Sequence, residues 1–199
     1  MKALIPTCYI PNNFYLSLLK KFDTVEIEKE EHFCKQTYRN RCTILSANGP
    51  LDLIIPVRKD GTHKRSTGQT RISYSERWQQ QHWRSIASAY AKAPFFEDYA
   101  YHFETFYQNE FEFLCDFNTQ LTRIICDLLE INCELRFTTE FVPTVASNDF
   151  RQAFDPANRQ QFQHPAYTQV FSDRFEFEKN LCAFDLIFNC GPESISYIG

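Results

Sequence analysis

An apolar strand, a capped helix and a second strand are written into the first 28 residues, and that order constrains the fold more than any later feature. Ala3 to Pro6 is apolar. Pro6, Thr7, Pro11, Asn12 and Asn13 then interrupt regular structure. Beyond them Phe14, Leu18 and Lys21 fall on one helical stripe, with Tyr15, Leu19 and Phe22 beside it, and Asn12 or Asn13 can cap the free amides of the first turn. Thr24 to Glu28 follows at once as a strand. Two strands joined by a helix pair in parallel, and ligands of such α/β units sit in the loops at the carboxyl ends of the strands. Tyr9 lies in the first such loop, ahead of a helix start that attracts anions.

The rest of the chain extends this α/β plan. Cys42 to Leu45 and Leu51 to Val57 predict a hairpin around Asn48-Gly49-Pro50. Arg71 to Tyr74 reads as a short strand, and Ser75 as the cap of a helix from Glu76 to about Ala91, ended by Pro94, with Trp83, Ile86, Ala87 and Tyr90 on one face. Phe96, Tyr99, Phe103 and Phe106 mark a second helix, and Leu114, Phe117, Leu121, Ile124 and Leu128 a third. Glu134 to Thr139 returns as a strand. The polar stretches Arg58 to Gln69 and Pro143 to Gln161 read as loops, the first either exposed or a flap over a site. The expectation is one domain, residues 1–199, with a mainly parallel sheet in a three-layer, Rossmann-like or nucleotidyltransferase-like arrangement, a β-hairpin and a cluster of three helices.

Composition removes several classes. A net charge of −4 lacks the basic surplus of a general nucleic-acid binder, and no run is long and apolar enough to insert in a membrane. Eight cysteines without a signal peptide point to free thiols in a reducing cytoplasm. The pairs Cys34/Cys42, Cys126/Cys133 and Cys182/Cys190 lack zinc-knuckle spacing, so no metal is expected, and no P-loop or other cofactor motif is present.

Chemistry concentrates in KQTYRNR, Lys35 to Arg41. Arg39 and Arg41 carry fork-shaped guanidinium groups, Lys35 a compact charge and Asn40 a donor and an acceptor, which together suit an oxygen-rich anion. Equally, these cations can answer the acidic run Glu26 to Glu31. Asp185 interrupts the apolar run LCAFDLIF. A carboxylate there needs a partner, either backbone amides or a cation such as Arg39 or Arg41. His82, one turn after Trp78, is a general base or a hydrogen-bonded, half-buried histidine, whereas His164, Tyr167 and Gln169 form a polar group suited to contacting a sugar or an acyl carrier.

Taken in order, PTCYIPNNFYL, KQTYRNRCTI with its NG hairpin and LIIPV, HWRSIASAYAKAPFFEDY, HPAYTQVF and DLIFNCGPE resemble the WbqC-like family across nearly the whole chain. The resemblance implies a cytoplasmic bacterial protein of O-antigen or capsule synthesis with a transferase activity, possible transfer of an acyl or aminoacyl group to a nucleotide-linked amino sugar among its forms. Carried over, its polar positions are Tyr9, Lys35, Asn40, Arg41, His82, Tyr90, His164, Tyr167, Gln169, Asp185 and Asn189. Two departures stand out. Thr7-Cys8-Tyr9-Ile10-Pro11 replaces a His-Gln-Pro type loop, and Pro143 to Gln161 stands where longer relatives carry a further αβ segment.

On this reading Lys35 and Arg41 hold a phosphate or carboxylate, His82 or His164 takes a proton from the acceptor, and Asn40 and Gln169 orient the substrate. Tyr9, Lys35, Arg41, His82 and Gln169 then share one cleft. The rivals are a non-catalytic nucleotide-sugar or glycan-binding protein and a structural partner in a synthesis complex.

Overall fold

The protein is described here by a computed structural model covering residues 1–59, 65–143, 147–155 and 164–199. Its elements in chain order are β1 (Lys2–Pro6), α1 (Asn13–Lys21), β2 (Thr24–Glu28), β3 (Arg41–Ser46), β4 (Gly49–Ile54), α2 (Trp78–Tyr90), α3 (Phe96–Phe106), α4 (Leu114–Leu128), β5 (Glu134–Phe137), α5 (Ala183–Cys190) and α6 (Ser194–Tyr197). The opening unit forms as its residues dictate. Asn12 caps α1 by accepting the Tyr15 amide at 2.9 Å, and β1 and β2 pair in parallel with Ala3 opposite Val25 and Ile5 opposite Ile27. β5 joins the far side of β2, giving the order β1-β2-β5.

This three-stranded sheet has two unlike faces. Ala3, Ile5, Val25 and Ile27 are buried in the core, whereas the alternate positions carry Lys2, Glu26 and Arg136, with Lys2 and Glu26 paired at 2.5 Å, beside the buried Leu4 and Glu28. A sheet sandwiched between two helical layers reads as continuous apolar runs, and TVEIE alternates instead. The small parallel sheet, the hairpin described next and the helices together make a mixed α/β fold.

β3 and β4 form a separate antiparallel hairpin with Ala47 and Asn48 at its tip. Gly49 pairs with Ser46 at φ +101°, a conformation that glycine adopts without a Cβ penalty. β4 stops at Ile54, close before Pro56, which has no amide to donate. The expected strand at Arg71 to Tyr74 is only two single bridges, Val57 with Ile72 and Arg71 with Phe113, because its neighbours on the two sides each meet it once. Nor does Ser75 cap α2. Its hydroxyl lies 3.1 Å from that of Ser73, and the helix begins at Trp78.

The three expected helices are α2, α3 and α4. Phe103, Phe117, Phe184 and Phe188 join them and the sheet in one core, with Phe103 and Phe184 rings 4.2 Å apart. LCAFDLIF supplies α5, buried on every side from Ala183 to Phe188. At its end Gly191 has φ +52°, and a Cβ there would lie 2.5 Å from the Phe95 ring. Of the two polar loops, residues 60–64, 144–146 and 156–161 lie outside the described residues, so the flap reading of 58–69 falls partly there. Its described end is tied down by the Thr67 and Gly68 amides on the Glu31 and Lys29 carbonyls.

Candidate functional site

Both arginines of the cation-rich segment are met by acids. Arg39 sends Nε and Nη2 to Glu31 Oε1 at 2.7 and 2.6 Å, with both side chains nearly buried, and Arg41 pairs with Asp52 at 3.3 Å. Asn40 donates to the Ile55 carbonyl at 3.0 Å, and Lys35 is exposed. Burial pushes the Glu31 carboxyl pKa up against the pull of Arg39. The acidic-run alternative therefore describes Arg39, eight residues from its partner. Neither arginine reaches Asp185.

Protein fills the crevice expected at the carboxyl ends of the strands. Thr7 to Asn13 is buried throughout. The Tyr9 amide donates to the Tyr38 carbonyl at 2.8 Å, Asn118 Nδ2 bridges Thr7 Oγ1 and the Arg39 carbonyl, and the Ala183 amide donates to the Pro11 carbonyl at 2.7 Å. At the end of β2 the wholly buried Glu28 carboxylate accepts from Thr138 and the Val142 amide and meets Arg151 at 3.3 Å.

Instead of one cleft, the polar residues singled out in the sequence form two interior clusters. In the first, the Tyr9 hydroxyl lies 2.8 Å from His82 Nδ1 and 2.5 Å from the Tyr107 hydroxyl, inside a cage of Trp78 and Phe117. Burial lowers the His82 pKa to about 4, opposed by a backbone hydrogen bond with Ile54, and burial pushes both tyrosine hydroxyls far above their ordinary value. All three are neutral at neutral pH. With Nε2 left for Ile54, Nδ1 accepts from Tyr9, whose oxygen accepts in turn from Tyr107.

The second cluster gathers around Asp185, a fully buried carboxylate in the first turn of α5. Its Oδ2 accepts from the Tyr167 hydroxyl at 2.7 Å and from Gln169 Nε2 at 2.9 Å, and Gln169 also exchanges hydrogen bonds with the Glu178 backbone. Desolvation raises the Asp185 pKa to about 6, with Tyr167, Gln169 and Tyr90 pulling it down. Neutral hydroxyl and amide donors thus replace the cation expected for it. Tyr90 accepts the Leu45 amide at 3.1 Å, and Asn189 Nδ2 donates to the Asp185 carbonyl, holding the helix turn. His164 is half-buried beside Tyr167, its Nδ1 3.0 Å from the Pro165 carbonyl and its Nε2 accepting the Asn180 amide at 3.5 Å. Burial lowers its pKa.

An open groove of about 760 Å³ lies between α2 and α3, within the range of small-molecule sites. Its floor is aromatic. Trp83 stacks on Phe96 at 6.2 Å and leans on Tyr107 at 6.1 Å, so Tyr107 belongs both to this floor and to the buried His82 chain. Gln79 donates to the Asn109 carbonyl at 2.6 Å and Tyr74 to the Phe111 carbonyl at 3.0 Å, which fixes the walls. Arg77 and Arg84 line the groove and make no ion pair among the described residues, and Glu76, Glu104 and Glu110 add carboxylates. Residue-type reasoning missed these groups. The available signal was that Arg84 has Gln80, Gln81, Ala87 and Ser88 as its helical neighbours, with no acid to neutralise it. No group of three His, Cys, Asp or Glu side chains able to hold a metal occurs among the described residues. Nor is any of their helices long and apolar enough to cross a membrane.

Comparison with known proteins places these features. A family model described as "WbqC-like protein family" matches residues 7–155, which include the groove, Tyr9 and His82, while His164, Tyr167, Gln169, Asp185 and Asn189 lie beyond it. The uncharacterized protein Rv1507c of Mycobacterium tuberculosis (strain ATCC 25618 / H37Rv) is 24% identical over 223 aligned positions, covering 98% of this chain and 96% of that protein. No solved structure matches.

Proposed function

This chain belongs to the WbqC-like protein family, and on that premise we propose that it is a cytoplasmic transferase of bacterial surface-polysaccharide synthesis, binding a nucleotide-linked amino sugar in the α2–α3 groove. The observation that carries the reading is the joining of an aromatic-floored groove with two unpaired guanidinium groups to a neutral histidine, through a shared tyrosine. Aromatic rings take the flat face of a nucleobase, guanidinium groups take phosphate, and carboxylates take ribose hydroxyls.

In this reading His82 is the base and acts through two hydroxyls. As the acceptor nitrogen forms its bond to the acyl carbon, its proton passes to the Tyr107 oxygen. The Tyr107 proton moves to Tyr9, and the Tyr9 proton to His82 Nδ1. The donor's leaving group departs with the electron pair of the broken bond and takes a proton back along the same chain. With a pKa near 4, His82 holds that proton only transiently, so the step needs a hydroxyl aligned with the acceptor. His164, Tyr167, Gln169 and Asp185 serve as a structural clamp on α5.

A second reading, a non-catalytic nucleotide-sugar-binding protein, is favoured by the burial of the two hydroxyls, Tyr9 at 0% and Tyr107 at 4% exposure. Thermal unfolding with UDP-glucosamine tests the site, since a ligand of the folded state alone raises the midpoint. A rise that Arg77→Met abolishes is expected. No rise with this or other nucleotide sugars overturns the assignment. Mass analysis of products with acyl donors separates the readings, because His82→Gln should stop transfer and leave binding intact.

A further inference from the structure

A second cavity, of about 460 Å³, lies on the other side of Arg84, between α2 and the tip of the β3–β4 hairpin. Ser46, Ala47, Asn48, Pro50 and Leu51 wall it on the hairpin side, and Arg84, Ser85, Ser88 and Ala89 on the helix side. Arg84 lines both cavities. It follows Arg77 by seven residues, two helical turns or about 10.5 Å along the axis, so the two cations stand on one stripe.

Their linings differ in kind. The larger cavity has the aromatic floor and three carboxylates, whereas the smaller has no carboxylate and no aromatic ring. Ser46 and Ser85 already donate to the Gly49 and Gln81 carbonyls, at 2.7 and 3.0 Å. Arg84, the exposed Ser88 hydroxyl and the exposed Asn48 amide are the polar groups turned to an occupant, beside the small apolar surface of Ala47, Ala89 and Leu51. A lining of one cation, a hydroxyl and an amide suits an uncharged polyol with one apolar face, which is the chemistry of a sugar ring.

We infer that the smaller cavity is the glycosyl subsite, with the diphosphate of the ligand lying over Arg84 and its nucleoside in the larger cavity. This deepens the function proposed above and rests on it. It supports the binding reading, because the sugar then lies on the far side of Arg84 from Tyr107, the groove-facing end of the His82 chain.

The experiment is calorimetric titration with UDP and with UDP-glucose, on the unaltered protein and on Ser88→Leu. That substitution fills the cavity from an exposed helix position. The unaltered protein should bind UDP-glucose about 10-fold tighter than UDP, and Ser88→Leu should remove that preference while leaving UDP affinity unchanged, a loss worth about 1.4 kcal/mol. UDP binding with a sugar preference unmoved by Ser88→Leu overturns the subsite and leaves the groove assignment standing. Absence of UDP binding to the unaltered protein overturns both. Circular dichroism of Ser88→Leu confirms that the variant is folded.

Discussion

Arg39 and Arg84 are the same residue type put to opposite uses. Arg39 lies in a basic stretch of the chain and is nearly buried, with two nitrogens on Glu31. Arg84 lies in a helix of unremarkable charge and faces a groove without an ion pair among the described residues. The difference teaches that local cation density does not tell whether a guanidinium is already paired. What counts is whether an acid stands within reach, and the run Glu26 to Glu31 supplies one to Arg39, while the helical neighbours of Arg84 do not. Polar groups satisfied inside the molecule should therefore register in stability, and those in the groove in binding.

The largest expected effect on that contrast is in the interior. Arg39→Met leaves Glu31 without its partner in a poorly hydrated place and should cost about 3–5 kcal/mol in chemical denaturation, with ligand affinity of the remaining folded protein unchanged. A loss below 1 kcal/mol would erase the distinction between the two arginines.

The two interior clusters sharpen it by opposing each other in pH. Asp185 holds its proton up to about pH 6 when folded but only to 3.8 in the reference state, so its contribution to stability is present at low pH and disappears as pH rises through that window. For His82 the folded value of about 4 lies below 6.5, so its contribution is present above pH 6.5 and disappears as pH falls toward 4. Each amounts to about 3 kcal/mol. Between pH 4 and 6 they nearly cancel. Urea denaturation should then show Asp185→Asn losing stability on acidification, His82→Gln losing it on alkalinisation, and the unaltered protein holding nearly level. Parallel slopes in the two variants would show that one of these groups is solvated.

Smaller effects fall on the surface. Arg84→Met should shift stability by less than about 0.5 kcal/mol and weaken nucleotide-sugar binding about 10-fold, read by the same titration. A stability loss like that of Arg39→Met would mean that Arg84 is held inside. Smallest of all, Lys35→Met should alter neither stability nor affinity measurably, since its side chain is exposed. An affinity loss there would restore the cation-rich segment as a ligand site.

Local sequence alone determined the βαβ opening, an asparagine cap at Asn12 or Asn13, the NG hairpin and the three helical stripes, because each depends on periodicity or on a backbone preference within a few residues. It also marked Tyr9 and His82, although nothing local shows that positions 73 apart share a hydrogen bond. The alternation in TVEIE already carried the charged outer face of the sheet. Only the tertiary structure decided that Asp185 takes neutral donors from Tyr167 and Gln169, that Thr7 to Asn13 is buried under α5, and that Arg77 and Arg84 face a groove. The physical reason is range. Helix and strand faces follow from neighbours along the chain, whereas the partner of a charge and the dielectric around it follow from what folding packs against it.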